Sequence, residues 1–346
     1  MVRDALNSVG DLLAAGLARS GDAPALERVA EQFRIRVTPA MAQHSPGMTA
    51  QFVPDPRELL TRPEELADPI GDLAHSPVKG LTHRYPDRAI LHLTQTCDVY
   101  CRFCFRREVV GQSGPLPADR LDAALDYIAA TPALREIILT GGDPLTISAR
   151  RLREVLGRLD AIAHVEVIRI HSRVPVVAPE RVAALLPVLA RDKALYIVIH
   201  TNHPDELTAQ ARAAITALAR AGVALLSQSV LLRGVNDDAA LLAGLLRALT
   251  ALRVTPYYLH HCDLARGTSH FRTPIARGLE IMAALRGHLS GVAIPAYVLD
   301  LPGGYGKVRL DSDAARQIAP GHWRLRDWRG GEHDYHDPAP PVPAVG

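Results

Sequence analysis

Three cysteines fall within one short run, Cys97-Asp98-Val99-Tyr100-Cys101-Arg102-Phe103-Cys104, in a chain that holds only four. Spacing this tight leaves no room for a disulfide framework, and an odd number does not pair. Thiolates gathered this closely hold a soft metal centre. Four would close an iron–sulfur cluster, whereas three leave one iron without a protein ligand and therefore open to chemistry. Zinc would ask for four ligands, often as two separated Cys-x2-Cys pairs; no second pair exists, and neither His83 nor His92 stands at ligand spacing. Three inert, reduced thiols are the remaining alternative, at odds with how scarce cysteine is here.

The bulk numbers bound the rest. A chain of 346 residues can bury one large core with an appendage. A formal net charge of +2 favours neither nucleic acid nor a membrane surface as the main partner. Lys79, Lys193 and Lys307 are the only lysines, arginine supplying the other basic residues. The first residues do not read as a secretory signal, and no apolar run approaches the ~20 residues that span a bilayer. Free thiols fit a reducing interior, so the expected location is cytoplasmic.

Apolar periodicity divides the chain in three. Residues 1–84 read as a helical and irregular extension, with helices over Asp4–Arg19 and Ala23–Phe33 and a Pro-rich stretch from Pro39 to Pro77. Residues 85–307 alternate short β-branched runs with amphipathic helices. The strands fall at Ala89–Thr94, Glu136–Thr140, Val165–Ile170, Leu195–His200, Val223–Gln228 and Pro256–His260, with an extra one at Ala293–Leu299. Residues 308–346 are a polar tail, its Pro-rich closing residues expected to be mobile. About six βα units predict an α/β fold built on a partial parallel (βα)6-type barrel, with a doubly wound open sheet as the alternative. No Gly-x-Gly-x-x-Gly follows the first strand, which argues against a nicotinamide-binding domain.

In such a barrel the strands' C-terminal ends converge on one mouth. Those ends read, in order, as the cysteine run, Gly141-Gly142-Asp143, His171-Ser172-Arg173, His200-Thr201-Asn202-His203, Gln228-Ser229, His261-Cys262-Asp263 and Asp300. Any one is unremarkable for a surface loop. Their succession points to a buried polar site. Gly141 and Gly142 allow backbone to approach a ligand closely, although Gly-Gly-Asp is also a good turn. Lys307 ends Pro302-Gly303-Gly304-Tyr305-Gly306, a permissive loop that can carry an amine into a crowded site. A lysine amine condenses with an aldehyde such as that of pyridoxal phosphate, or else is simply solvated in a turn.

The C-x3-C-x2-C run with Phe103 before its last cysteine resembles the radical S-adenosylmethionine superfamily. More specifically, Thr82-His83-Arg84-Tyr85-Pro86-Asp87-Arg88, the cysteine run, Thr140-Gly141-Gly142-Asp143, Ser172-Arg173, Gln228 to Asp237, Pro256-Tyr257-Tyr258, Cys262-Asp263, His270-Phe271-Arg272 and Pro302 to Lys307 resemble the lysine 2,3-aminomutase family. The resemblance spans residues 70–310. It implies a [4Fe-4S] cluster on Cys97, Cys101 and Cys104, with S-adenosylmethionine on the open iron. It implies contact with that molecule's methionine amino group by Gly141, Gly142 and Asp143. It also implies pyridoxal 5′-phosphate on Lys307 with Arg84, Tyr85 and Arg88 near it, and a substrate carboxylate on Arg106, whose fork suits bidentate binding. Asp263 and Asp300 match a carboxylate pair that holds the far ammonium of lysine, unless they are caps or turn residues.

The implied reaction is interconversion of L-lysine and L-β-lysine by 1,2 migration of an amino group. It would need a one-electron donor such as flavodoxin or ferredoxin. Alternatives are the same chemistry on arginine, production of β-lysine for elongation factor P, and a non-catalytic metal-binding scaffold. The longer family members carry a C-terminal cysteine-rich zinc segment. This chain has no cysteine after Cys262, so no structural zinc is expected and the state of any homo-oligomer is left open.

Overall fold

A computed structural model describes residues 4–337. Its centre is a nine-stranded sheet whose spatial order follows the chain, β1 to β9. The strands are β1 (Leu81–Tyr85), β2 (Arg88–Thr94), β3 (Glu136–Gly141), β4 (Val167–Ser172), β5 (Ala194–His200), β6 (Ala224–Leu231), β7 (Thr255–His261), β8 (Ala296–Leu301) and β9 (Gly306–Arg309). From β2 to β8 every pairing is parallel. An antiparallel strand closes each side, β1 on β2 and β9 on β8. The expected α/β barrel is present. Its parallel run includes the strand read as an extra, and it is flanked by two antiparallel strands that the apolar pattern did not mark.

The outer layer is helical: α1 (Val9–Ala14), α2 (Ala23–Gln32) and α3 (Pro46–Phe52) precede the sheet, and α4 (Ala118–Ala129), α5 (Ala149–Asp160), α6 (Val174–Val177), α7 (Val182–Leu189), α8 (Ala209–Arg220), α9 (Ala239–Ala251) and α10 (Ile275–Leu285) follow. The local cause is plain in α5. Ser148 caps its first turn by accepting from the Arg151 amide, and Leu152, Val155, Leu156 and Leu159 form one buried stripe. That stripe lies over strands such as β3, whose central residues are buried on both faces, as parallel strands under helices are.

Three expectations change. The first helix is only Val9–Ala14, because the chain turns at Gly16 (φ +68°). Strands β4, β6, β7 and β8 end one to three residues later than read, so His171, Ser172, Ser229, His261 and Asp300 are strand residues rather than loop residues. The polar tail also folds, into an antiparallel three-stranded sheet of β10 (Ala315–Ala319), β11 (His322–Arg326) and β12 (Glu332–His336). Trp323, Leu325 and Tyr335 join the main core from it, so three well-placed apolar residues suffice to fix a polar segment. The Pro-rich closing residues read as mobile lie outside the described residues. No helix among the described residues is long and apolar enough to cross a membrane.

Candidate active site

Every site residue proposed from sequence lines one cavity of about 540 Å³ at the mouth and interior of the barrel. The cysteine run leaves the end of β2. It is clamped from outside by the N-terminal segment: the Arg102 amide donates to the Gln51 carbonyl, and the Arg102 guanidinium binds Glu58 at 2.9 and 2.6 Å. Glu58 also pairs with Arg107, so one fully buried carboxylate anchors two arginines of the loop. Burial pushes the Cys97 thiol up, and burial, then the Cys101 charge, pushes Cys104 up to about 11. Three thiols packed this way ionise together only around a cation. Among the described residues no group of three or more His, Cys, Asp or Glu side chains is arranged to hold a single metal ion. Lining a broad cavity suits a multi-iron cluster. Arg173 donates to Cys101 Sγ at 2.7 Å and is itself held by Gln51 and Glu206, each at 2.7 Å.

Gly141 and Gly142 cross the chain that enters the cysteine run. A Cβ on Gly141 would stand 2.4 Å from the Thr94 carbonyl oxygen, and one on Gly142 would stand 2.4 Å from that of Thr96. Backbone packing thus requires the glycine pair independently of any ligand. Asp143 accepts hydrogen bonds from Leu145 N, Ser172 Oγ, Arg173 N and Val174 N, which ties the end of β3 to the end of β4. Burial outweighs these donors and raises its carboxyl to about 6.

The second half of the site is made by β8 and β9. The loop Pro302–Tyr305 turns the chain back so that Asp300 and Lys307 are direct cross-strand partners. Lys307 Nζ lies 2.7 Å from Asp300 Oδ1, and the Lys307 amide donates to Tyr85 Oη at 2.8 Å. Asp300 also faces His260 at 3.4 Å and Arg84 at 3.8 Å. Burial works against its ionisation, but Lys307 and His260 prevail and hold the carboxyl far below the usual range. Asp263, just past β7, behaves oppositely: burial, then the negative charge of Asp300, raises it to about 8. The two carboxyls therefore share one charge. A second cation there would ionise both.

Arg106 presents Nε and Nη2 to Asp72 Oδ2, each at 2.8 Å. Its Nη1 edge has no partner among the described residues. Arg84 bridges the same acid to the rest, donating to the Ile70 carbonyl at 2.6 Å and to Asp72 at 3.4 Å. Arg88 stacks 3.9 Å over the Tyr85 ring. Sequence reasoning missed Asp72, which holds Arg106 from behind, and it missed the cavity-lining strand residues His260, Glu136, Arg169, Tyr257 and Tyr258. Arg169 binds Glu136 at 2.9 Å, and the two tyrosine hydroxyls are 2.8 Å apart. A signal existed for the strand residues, polar positions in strands otherwise buried, but none for Asp72. None existed for Trp328, which reaches the cavity from the β11–β12 turn.

A parallel barrel that gathers three cysteines and an open polar cavity at its mouth defines an enzyme of the radical S-adenosylmethionine class. The family model described as the radical SAM superfamily matches residues 91–243, and that described as lysine-2,3-aminomutase matches residues 282–344. The L-lysine 2,3-aminomutase of Fusobacterium nucleatum is 40% identical over 97% of this chain and 81% of its own length. That of Clostridium subterminale is 43% identical over 83% of this chain and 70% of its own. The glutamate 2,3-aminomutase of Clostridioides difficile is 35% identical over 88% and 74%. The chain belongs to the lysine 2,3-aminomutase family and is an isomerase.

Proposed function

We propose that the protein interconverts L-lysine and L-β-lysine using pyridoxal 5′-phosphate on Lys307 together with the cluster and S-adenosylmethionine. The observation that carries this reading is the disposition of charge. Asp263 and Asp300 stand at one side of the cavity and Arg106 offers a free edge within it, on the same wall system as the three cysteines. Bound there, the iron–sulfur cluster and S-adenosylmethionine supply a 5′-deoxyadenosyl radical, and pyridoxal phosphate supplies the carrier for the migrating amino group.

The chain's own residues then bind and orient. Arg106 takes the substrate α-carboxylate on its Nη1 edge while Asp72 fixes the other edge. Asp263 and Asp300 take the distal ammonium, in competition with the Lys307 amine, which binds Asp300 directly. A glutamate side chain would set another negative charge against this pair, so the pair selects a cationic substrate. Arg84, Tyr85 and Arg88 lie where they can order the carrier on Lys307, and buried walls keep water from the reacting atoms. Cys97, Cys101 and Cys104 hold the cluster, and Gly141, Gly142 and Asp143 shape the adjoining end of the site. A flavodoxin- or ferredoxin-type donor would reduce the cluster, and its oxygen sensitivity fits the cytoplasm.

The test is anaerobic incubation of reconstituted protein with lysine, arginine and glutamate in turn, followed by chromatographic identification of β-isomers. Turnover of lysine above the other two is expected. Turnover of arginine alone, or of none with iron and sulfide present, would reject the assignment.

A further inference from the structure

The C-terminal sheet belongs to the active site. β10 and β12 are mostly exposed and polar, yet the β11–β12 turn carries an indole, Trp328, that lines the cavity. Its ring lies 5.7 Å from that of Tyr85, whose hydroxyl accepts from the Lys307 amide. A Cβ on Gly306 would meet Tyr85 Oη at 2.6 Å and Trp328 Cδ1 at 3.3 Å, so both side chains press on the residue before Lys307. The turn is fixed from below. Asp327 accepts from Arg329 N at 2.8 Å, Gly331 N at 2.9 Å and His333 Nε2 at 2.8 Å. The His333 ring in turn stacks 4.2 Å from Tyr305, within the glycine loop itself. Two aromatic contacts, Trp328 on Tyr85 and His333 on Tyr305, thus tie the turn to the lysine loop. Trp328 is nevertheless 46% exposed, an apolar surface at the cavity mouth.

We infer that Trp328 is a positioning residue that, with Tyr85, walls the Lys307 amine from water and retains the aldehyde cofactor joined to it. The inference rests on the reading of Lys307 as the pyridoxal phosphate lysine. The chemistry gives it a purpose, because the covalent bond between a lysine amine and an aldehyde is lost by addition of water. Only two tryptophans are present, and Trp323 is buried with its Nε1 on Asp337, so the signal of Trp328 can be isolated.

The experiment uses the full chain, reconstituted anaerobically and loaded with pyridoxal phosphate. Free cofactor is removed, and the visible absorbance of the lysine-bound form is followed during challenge with hydroxylamine. Trp328→Ala is expected to lose it about tenfold faster, the scale of one aromatic contact. Trp328→Phe is expected to restore most of the retention, with iron and labile sulfide unchanged in both. The fluorescence difference between wild type and Trp328→Phe, which reports Trp328 alone, is expected to be quenched on loading. Equal retention in wild type and Trp328→Ala, or a difference emission indifferent to loading, overturns the inference and leaves the function standing. Absence of any bound-cofactor absorbance in wild type overturns the reading of Lys307, and this inference with it.

Discussion

Asp300→Asn separates recognition of the distal ammonium from everything else the site does. The substitution keeps the shape of the side chain and removes its charge. Two unit charges ~4 Å apart at an effective dielectric of ~20 interact by about 4 kcal/mol. That figure must be reduced here, because the Lys307 side chain opposite Asp300 is 31% exposed and because Asp263 can take part of the load. With Asp300 neutral, the second cause of Asp263's raised pKa disappears, and Asp263 ionises more readily. About 2 kcal/mol then remains, or roughly 30-fold.

The assay compares kcat/KM for lysine with that for norleucine, which has the same α-amino acid head and no distal ammonium. Damage to Lys307 or to cofactor loading reduces both substrates and cancels in the ratio. The lysine preference is expected to fall about 30-fold in Asp300→Asn, and further in the double variant with Asp263→Asn, where no carboxylate is left to compensate. A ratio that stays within about threefold of wild type in the double variant would refute the assignment of this pair to the substrate cation.

The other consequences are more local. Asp263 binds a proton in the folded protein up to about pH 8 but loses it near pH 4 when unfolded, so the native state holds the extra proton between those values and stability falls as pH rises across them. Asp263→Asn is therefore expected to raise Tm relative to wild type at pH 9 more than at pH 5, as read by thermal melts of cofactor-free protein. Glu58→Gln leaves Arg102 and Arg107 buried with no counter-charge, a loss of about 3–5 kcal/mol, and should lower both Tm and the iron retained after gel filtration. Gly142→Ala drives a methyl against the Thr96 carbonyl and should reduce iron content sharply, while Gly157→Ala, in open space on α5, should not.

The parallel strands were legible because burial on two faces imposes a pattern that short apolar runs reproduce. Their boundaries drifted where a strand continued into polar residues. His171, Ser172 and Ser229 continue the backbone ladder beyond the apolar run, so hydropathy ended β4 and β6 too early. The antiparallel edges were invisible for a related reason: β1 and β9 carry the chemistry-bearing residues Arg84, Tyr85 and Lys307 in place of an apolar face. The tail was read as polar, without strands, because its anchors, Trp323, Leu325 and Tyr335, are too few to make a period.

The site divides along the same line. Groups that act on a ligand sit at strand ends or in a compact motif, where type and spacing identify them. The groups that hold those in place, Glu58 under Arg102 and Asp72 against Arg106, come from the Pro-rich N-terminal stretch, which has no period at all. A lone acid in an irregular segment carries no local sign of the arginine it will meet across the fold, since that meeting is decided by packing of distant elements. Gly141 and Gly142 show the converse. Their meaning looked local, a clear approach for a ligand, yet the atoms that exclude a side chain are the carbonyls of Thr94 and Thr96. A glycine pair beside a cofactor site can thus be fixed by the backbone that shapes the site. Substitution there tests the loop's architecture before it tests any contact with a bound molecule.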